Sequence, residues 1–314
     1  MIAIVIGLPL GVTITRRGRP RARSSFSARG ALLFPLFLSS LPACSERADV
    51  VVGSKNFTES IILGEIVAQQ LERVGLTVDR RLNLGGTFIC HEAIVSGQID
   101  VYVEYTGTAH AAILELPTEQ DQTVVQGHLD SIYAERWGLV WTAPFGFNNT
   151  FAMLVRRADA ERYGLESYSD VAPLAARWRP GFGYEFAERA DGYEGLSRAY
   201  GFRFDRTAAV MDLGLIYRAL AEGRVDVIAA NSTDGQIASL GLVRLADDRG
   251  YFPPYDAVPV VRRQLLEAHL EVGEALNSLG GTIDEETMRR MNYLVDVERR
   301  SVREVAREFL AGRR

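Results

Sequence analysis

From residue 49 to residue 105, the chain alternates between two hydrophobic patterns. Short apolar runs predict strands at 49–53, 76–84 and 99–105. Apolar residues spaced three or four positions apart predict helices at 58–75 and 87–96. Because strands and helices alternate at this spacing, the pattern predicts an α/β protein with parallel sheets.

The same alternation returns later in the chain. Apolar runs predict strands at 150–156 and 225–230, and helical spacing predicts helices at 213–223, 233–241, 282–297 and 301–312. The last two helices each open on a Ser/Thr-x-x-Glu capping box, Thr282 to Glu285 and Ser301 to Glu304.

Two short phrases share one layout, "SGQIDVY" (96–102) and "EGRVDVI" (222–228). Each contains a helix end, a glycine, a polar residue and then a strand that opens with Asp. The repetition suggests two similarly built lobes, although glycine is common at helix ends in general.

The first 43 residues differ from the rest of the chain. Residues 16–29 carry six arginines and no acidic residue, and an apolar run of eleven residues follows at 31–41. A basic segment followed by a short apolar core is typical of a secretory signal peptide, and a membrane-spanning helix needs ~20 apolar residues. We therefore predict that residues 1–43 are a signal peptide outside the folded domain.

Cys44 stands at the expected cleavage point, at the end of "LPAC". This segment resembles the lipobox of bacterial lipoproteins, which implies a lipid on Cys44, although the proline departs from the usual pattern. The alternative is a buried cysteine at the start of a domain. A second apolar run at 1–15 leaves two explanations open, a start codon assigned too far upstream or an unusually long leader.

Charge argues against nucleic acid as a partner. The chain has 35 basic and 40 acidic residues; without the six arginines of the predicted signal, 29 basic residues remain, and the net charge is about −11. Nucleic-acid binding requires basic patches. If Cys44 carries lipid, Cys90 is left without a partner, and we expect it to be a small buried side chain rather than half of a disulfide.

Common enzyme signatures are missing from the sequence, which has no Walker loop and no HExxH, GxSxG or CxxC motif. The four histidines lack metal-ligand spacing. Asp100 and Glu104 share a face of one predicted strand and could form a catalytic pair, but a solvated strand end is the commoner arrangement. We therefore favour a binding protein, without a metal or cofactor, over an enzyme.

Lys55 is the only lysine in the chain, and every other basic residue is arginine. An ammonium group is compact, whereas a guanidinium group is planar and longer. A single retained lysine therefore indicates a site that needs the smaller group; a surface lysine is the alternative.

Eight segments follow one another in order across residues 51–262: "VGSKNFTESIILGEIVAQQLE", "LNLGGT", "GQIDVYVEYTGTA", "FNNTFAMLV", "EFAERADGYEGL", "MDLGLIYRAL", "NSTDG" and "FPPYDAVPVVR". Together they resemble the substrate-binding components of ABC importers for glycine betaine, choline, carnitine and related quaternary ammonium compounds.

The resemblance implies a two-lobed periplasmic-binding-protein fold of type II, with the ligand in a cleft that closes by a hinge motion. The expected lobes are 45–149 plus 255–314, and 150–254. It also implies an exported, lipid-anchored monomer, in the periplasm or at the outer face of the cytoplasmic membrane. Such a protein delivers its ligand to ABC permease subunits.

The resemblance also implies the ligand-binding residues. A trimethylammonium group has no N–H to donate, so it is held by the faces of aromatic rings; Tyr105 and Tyr255 would supply such rings. Lys55, Thr108 and Arg189 would bind the carboxylate at the other end of a betaine.

Two further positions of the expected site depart from the family pattern. Phe151 replaces a tyrosine and keeps the ring, whereas Asn231, in "NSTD", replaces another ring of the cage. Losing one ring should weaken binding by about 1–2 kcal/mol, or about tenfold. The site is therefore expected to bind glycine betaine weakly, or another zwitterion such as ergothioneine or proline betaine.

Three other possibilities remain open. Choline is less favoured as the ligand because it lacks the carboxylate that Lys55 and Arg189 would bind. An enzyme, or a sensory module that transports nothing, could be built on the same fold.

Overall fold

The computed structural model describes residues 48–313. The predicted signal peptide at 1–43 and the predicted lipidation site at Cys44 lie outside the described residues. Within 48–313, no helix combines the length and the apolar character needed to cross a bilayer.

Five strands form the first sheet: β1 (Val50–Lys55), β2 (Val78–Gly85), β3 (Val101–Tyr105), β4 (Leu139–Trp141) and β10 (Ala257–Arg262). Their order across the sheet is β2-β1-β3-β10-β4. β1 is parallel to β2 and to β3, whereas β10 is antiparallel to both of its neighbours.

The second sheet repeats this arrangement with β5 (Phe151–Arg156), β6 (Pro180–Gly183), β7 (Ala209–Met211), β8 (Val227–Asn231) and β9 (Leu242–Arg244). Its order is β7-β6-β8-β5-β9, and β5 is antiparallel to both neighbours. The predicted parallel sheets are therefore mixed. The reason is that β5 and β10 each enter from the other sheet and run opposite to the strands already there.

Helices cover the first sheet: α1 (Thr58–Arg73), α2 (Thr87–Val95), α3 (Thr106–Thr108), α4 (Gln122–Trp137), α10 (Arg263–Ala268), α11 (Leu270–Asn277), α12 (Glu285–Asp296) and α13 (Val302–Gly312). A π-helical turn, Ala109–Ile113, extends α3. α1 packs against β1 on one side and against α11, α12 and α13 on the other, so its face with Ile62, Ile66 and Leu71 is fully buried.

The second sheet is covered by α5 (Arg157–Tyr163), α6 (Tyr184–Glu188), α7 (Gly195–Tyr200), α8 (Leu213–Ala221) and α9 (Gln236–Ser239). Short 3₁₀ turns lie at Ser169–Val171 and Ala175–Arg177, and a π-helical turn lies at Ala190–Glu194. α8 packs Ile216, Tyr217 and Leu220 onto this sheet. The two-lobed α/β fold predicted from the sequence is confirmed.

The repeated Asp of the two phrases performs the same task in each lobe. Asp100 accepts a hydrogen bond from the backbone N–H of Val51 (2.9 Å), and Asp226 accepts one from that of Arg179 (3.0 Å). Each Asp thereby fixes the start of its own strand to the neighbouring strand. The predicted likeness of the two lobes is confirmed at this point.

Helix starts were predicted with mixed success. Ser301 caps α13 as expected, accepting from the N–H of Glu304 at 3.2 Å. The Thr282 capping box is wrong, since α12 begins at Glu285 and Asp284 accepts from the N–H of Thr287 at 2.7 Å. An Asp directly before the helix is a cap as good as Thr.

The structure also bears on the helix predicted at 233–241 and on Cys90. The helix predicted at 233–241 is shorter, because Asp234 accepts from the N–H of Gln236 in a turn and α9 begins only there. Cys90 is buried, as expected.

Two connections join the sheets, one between Trp141 and Phe151 and the other between Arg244 and Ala257. They run side by side: the N–H of Asn149 donates to the carbonyl of Tyr255 (3.0 Å), and the N–H of Tyr255 donates to the side chain of Asn148 (2.9 Å). Two adjacent strand-like connections between lobes are typical of a hinge.

Candidate functional site

A cavity of about 300 Å³ lies between the two sheets, beside the two connections. The carboxyl ends of four strands reach it, through Lys55 of β1, Tyr105 of β3, Gly183 of β6 and Asn231 of β8. In open α/β sheets, ligands bind outside the carboxyl ends of the strands, so the topology itself points to this cavity.

All seven residues predicted to bind a ligand line this cavity: Lys55, Tyr105, Thr108, Phe151, Arg189, Asn231 and Tyr255. They come from both lobes and from one connection between them. The fold therefore brings together residues that are far apart in the chain. Their role in binding a ligand stays a prediction.

Lys55 is a buried residue with protein partners of its own. Its Nζ lies 2.5 Å from Oε1 of Glu104 and 2.8 Å from Oγ1 of Thr87, and 5.2 Å from the ring centroid of Tyr105. Burial raises the pKa of Glu104, and the positive charge of Lys55 opposes that rise. The ammonium is thus already neutralised by a fully buried carboxylate.

Arg189 lies just beyond α6 and is also paired. Its Nε and Nη2 donate to the two carboxylate oxygens of Asp191 (2.8 and 2.5 Å), and its Nη1 donates to Oγ1 of Thr108 (3.0 Å). The guanidinium carbon lies 5.4 Å from the ring centroid of Phe151 and 6.0 Å from that of Tyr255. Arg189 therefore covers two of the predicted cage rings.

The rings around the cavity form two groups. Phe151 contacts Tyr255 with centroids 6.0 Å apart and Phe186 with centroids 4.9 Å apart, both edge to face. Tyr105 lies beside Phe57 at 6.0 Å. Burial raises the pKa of the Tyr105 and Tyr255 hydroxyls well above the usual range, so both remain protonated donors.

Asn231 stands at the point where the sequence departs from the family pattern. It is the last residue of β8 and the direct cross-strand partner of Phe151 on β5. Side chains of directly opposed residues lie on the same face of a sheet. The amide of Asn231 and the ring of Phe151 therefore line neighbouring parts of the cavity wall.

Glu185 is a further charged group of the cavity, from α6 of the second lobe. It accepts a hydrogen bond from the hydroxyl of Thr87, and its Oε1 lies 3.9 Å from Nη1 of Arg189. Burial acts to raise its pKa, but the charges of Lys55 and Arg189 together with the Thr87 hydrogen bond outweigh burial and lower it. Glu185 is thus held as a carboxylate.

The charges around the cavity do not balance. Lys55 has Glu104 and Arg189 has Asp191 as ion-pair partners, whereas three additional acids line the cavity, Glu185, Glu188 and Asp212. The surplus is negative, and it favours a ligand that carries a positive group.

The sequence did not single out most of the other lining residues, among them Phe57, Thr87 and Glu185. All three lie within the segments "GSKNFTES", "LNLGGT" and "EFAERADGYEGL", so those segments marked the region. Nothing in the local pattern showed that Thr87 and Glu185 meet, because they belong to different lobes.

Asp100 and Glu104, the two acids considered as a possible catalytic pair, do not share a partner. Asp100 pairs with Arg262 at 3.1 Å and Glu104 pairs with Lys55, so the two acids have separate structural partners. Among residues 48–313, no group of three or more His, Cys, Asp or Glu side chains is arranged to hold a metal ion.

Two lobes of matching topology, with a ring-lined cavity at their junction, define a ligand-binding protein of the two-lobed periplasmic class. The chain belongs to the family described as the substrate binding domain of the ABC-type glycine betaine transport system, which matches residues 48–312.

Named relatives agree with this family. The chain is 35% identical over 266 residues to the ergothioneine transport permease/ergothioneine binding protein EgtU of Helicobacter pylori, a match that covers 84% of this chain and only 48% of that protein. It is 34% identical over 282 residues to the carnitine transport binding protein OpuCC of Listeria monocytogenes, covering 88% of this chain and 91% of the relative.

A solved structure agrees as well. The crystal structure of a glycine betaine/carnitine/choline ABC transporter superposes with a TM-score of 0.70 at 32% identity, covering 84% of this chain and 98% of that one.

Proposed function

We propose that this protein is the extracytoplasmic substrate-binding component of an ABC importer and binds a small zwitterionic quaternary ammonium compound such as glycine betaine. One observation carries the proposal: the rings of Tyr105, Phe151 and Tyr255 line a single cavity between the lobes of a chain that belongs to this transport family.

The rings supply the binding energy for the ammonium end. A quaternary ammonium group contributes ~0.5–2 kcal/mol per ring face, with the larger values where water is excluded. Tyr105 and Tyr255 are 4% and 2% exposed, so contacts with these rings fall in the upper part of that range.

The carboxylate end would meet Arg189, Thr108 and Lys55. Because Arg189 already pairs with Asp191, a ligand carboxylate has to share its guanidinium. Arg has five donors, and the Nη1 that reaches Thr108 would be the donor to share.

A second candidate ligand is a ring-containing betaine such as ergothioneine or proline betaine. Asn231 supplies an amide in place of a ring, and Glu185 supplies a carboxylate that can accept from a ring N–H of ergothioneine, a donor that proline betaine lacks. The relative EgtU is described as an ergothioneine binding protein.

A thermal-shift screen of the chain from residue 45 tests the proposed function. Glycine betaine, carnitine, choline, proline betaine and ergothioneine are compared at equal concentration. A bound ligand raises the melting temperature by mass action, and at least one of these compounds is expected to do so. If none does at concentrations up to the millimolar range, the proposed ligand class is wrong.

The partners and location follow from the same proposal. We infer a monomer with lobes 45–149 plus 255–314 and 150–254, anchored by lipid on Cys44 and docking on membrane permease subunits. In cells that make the full chain, Cys44→Ser should move the protein from the membrane fraction to the soluble fraction. A wild-type protein that is already soluble would contradict the anchor.

A further inference from the structure

Glu59 is a buried carboxylate near the start of α1, outside the set of predicted site residues. It is 2% exposed and accepts four hydrogen bonds. Oε1 accepts from the hydroxyl of Tyr105 and from Nδ2 of Asn149, both at 2.7 Å. Oε2 accepts from the hydroxyl of Thr233 at 2.5 Å and from Nδ2 of Asn292 at 3.0 Å.

All four partners are neutral. In the part of the chain that the structure describes, Glu59 forms no ion pair, unlike Glu104. A buried carboxylate without a cation depends on its hydrogen bonds, and removing one leaves a lone pair desolvated and unpaired. Moving any one of the four donors away would leave a buried carboxylate oxygen of Glu59 short of a hydrogen bond, so all four donors are fixed in position.

The two amides show how strongly the surroundings are fitted to this carboxylate. Asn149 and Asn292 both direct Nδ2 to Glu59, while Oδ1 of each is buried without a partner among the described residues. Turning either amide over would place its oxygen against a carboxylate oxygen. Both side chains therefore donate to Glu59 while their own carbonyl oxygens receive no hydrogen bond.

The four donors come from parts of the molecule that move relative to one another in a hinge protein. Tyr105 ends β3 of the first lobe and lines the ligand cavity. Asn149 lies on the connection between the sheets, and Asn292 lies on α12. Thr233 follows β8 of the second lobe.

We propose that Glu59 is a positioning residue that links the orientation of the Tyr105 ring to the closure of the lobes through Thr233. In the closed arrangement the carboxylate has all four partners. Opening that draws Thr233 away leaves Oε2 with a single donor, so Glu59 favours closure and at the same time fixes the ring that meets the ligand.

The role of Tyr105 in the ligand site rests on the proposed function, whereas the link to closure does not. The test therefore combines one readout that needs a ligand and one that does not. The matched pair Thr233→Val and Thr233→Ser removes or keeps the hydroxyl at a residue that is 0% exposed.

Closure is measured without ligand by energy transfer between one dye on Ser131→Cys of α4 and another on Asp205→Cys of the second lobe, both exposed positions. Thr233→Val should lower the closed fraction of the ligand-free protein about threefold or more, and Thr233→Ser should restore it to within about twofold of wild type. This result is independent of which ligand the protein binds.

Affinity is measured by calorimetry with glycine betaine, or with the compound that gives the largest thermal shift. Thr233→Val should weaken binding about tenfold or more, the lower end of the effect of losing one hydrogen bond to a charged group. Tyr105→Phe, which keeps the ring, should weaken binding similarly.

Combining the variants tests the role of Glu59 itself. With Glu59 present, Thr233→Val and Tyr105→Phe should act non-additively; in a Glu59→Met background, which removes both acceptor oxygens, neither should have a further effect. If Glu59→Met does not fold, the Thr233 pair alone decides.

The inference is overturned if Thr233→Val lowers only the urea midpoint and leaves closed fraction and affinity at wild-type values. Failure of the wild type to bind any of the compounds would instead reject the proposed function, and the ligand-free closure measurement would still decide the role of Glu59.

Discussion

Lys55 shows how one residue can be marked by the sequence and explained only by its surroundings. It is the only lysine among 35 basic residues, and its ammonium lies between the Glu104 carboxylate and the Thr87 hydroxyl. A compact ammonium fits this fully enclosed position, whereas a planar guanidinium would need more space and more acceptors. The reason for the lysine is therefore at least partly internal pairing.

Lys55→Met should destabilise the fold in addition to weakening ligand binding. It would leave Glu104, which is 0% exposed, as an unpaired buried charge, and breaking such a pair costs about 3–5 kcal/mol. Urea unfolding measures the loss. The control Lys55→Met with Glu104→Gln removes both charges and should recover a large part of it. If Lys55→Met alone were as stable as the wild type, the Lys55–Glu104 ion pair would not contribute to stability.

Asn231→Tyr places a ring opposite Phe151 on the wall of the cavity. If only a missing ring limits the affinity for glycine betaine, the variant should bind it about tenfold more tightly. Calorimetry measures the change, with Asn231→Leu as a control that fills space without a π face. Weaker binding by the tyrosine variant would mean that the pocket is built for a ligand that uses the amide.

At the scale of elements, the two lobes share one device at the start of an inner strand. Asp226, just before β8, receives hydrogen bonds from the N–H and Nε of Arg179 (3.0 and 2.9 Å) and from Nη2 of Arg156 (3.0 Å). Asp100 holds Val51 and Arg262 in the corresponding way before β3. At this position an acidic residue joins its own strand to two neighbouring segments by hydrogen bonds, which explains why the same sequence pattern occurs once in each lobe.

Asp226 gives the stability of the second lobe a dependence on acidic pH. Burial acts to raise its pKa, but the hydrogen bonds from Arg179 and Arg156 outweigh burial and lower it from 3.8 to about 2. A depressed pKa stabilises the fold above the unfolded value and loses that stabilisation as the pH falls. Between pH 4 and pH 2, the free energy of unfolding of the wild type should therefore fall more steeply than that of Asp226→Asn.

Asp226→Asn should also be less stable at neutral pH by about 1–2 kcal/mol, at the low end for charged hydrogen bonds because Arg179 is partly exposed. Urea titrations across the pH range measure both effects. Asp205→Asn, at an exposed acid, is the matched control and should follow the wild type. Parallel curves for Asp226→Asn and the wild type would contradict the assignment.

At the scale of the whole molecule, four hydrogen bonds between side chains join the first lobe to the second. They connect Thr87 with Glu185, Arg189 with Thr108, Tyr255 with Asp191, and Thr233 with Glu59. Each of them borders or approaches the cavity. The contacts that hold the lobes together therefore also enclose the cavity.

Thr87→Val should release a bound ligand faster. It removes the hydroxyl that accepts from Lys55 and donates to Glu185, so the closed state loses one of its contacts across the cleft. We expect the dissociation rate to rise about tenfold while the association rate changes by less than about twofold, since interface changes act mostly on dissociation. Stopped-flow fluorescence measures both rates, and Thr87→Ser, which keeps the hydroxyl, should behave as wild type. An unchanged dissociation rate in the valine variant would exclude this contact from closure.

Much of the fold was predictable because hydrophobic periodicity is local. The pattern of hydrophobic positions located β1, β2, β3, β5 and β8 and the helices α1, α2, α8, α12 and α13 to within a few residues. It missed β6 and β10. It also missed the short strands β4, β7 and β9, each of three residues. Three residues are too few for a period to show, and these strands form only because a neighbouring strand offers hydrogen bonds.

By itself, the sequence determined the α/β class, the likeness of the two lobes and, through the family resemblance, seven of the residues that line the cavity. Tertiary structure alone decided how the charges pair, since Lys55 and Glu104 are 49 residues apart and Glu59 and Thr233 are 174 apart. Side-chain periodicity reports which face of an element is buried. It carries no information on which distant group a buried charge will meet, and that choice sets the charge of the site and its coupling to closure.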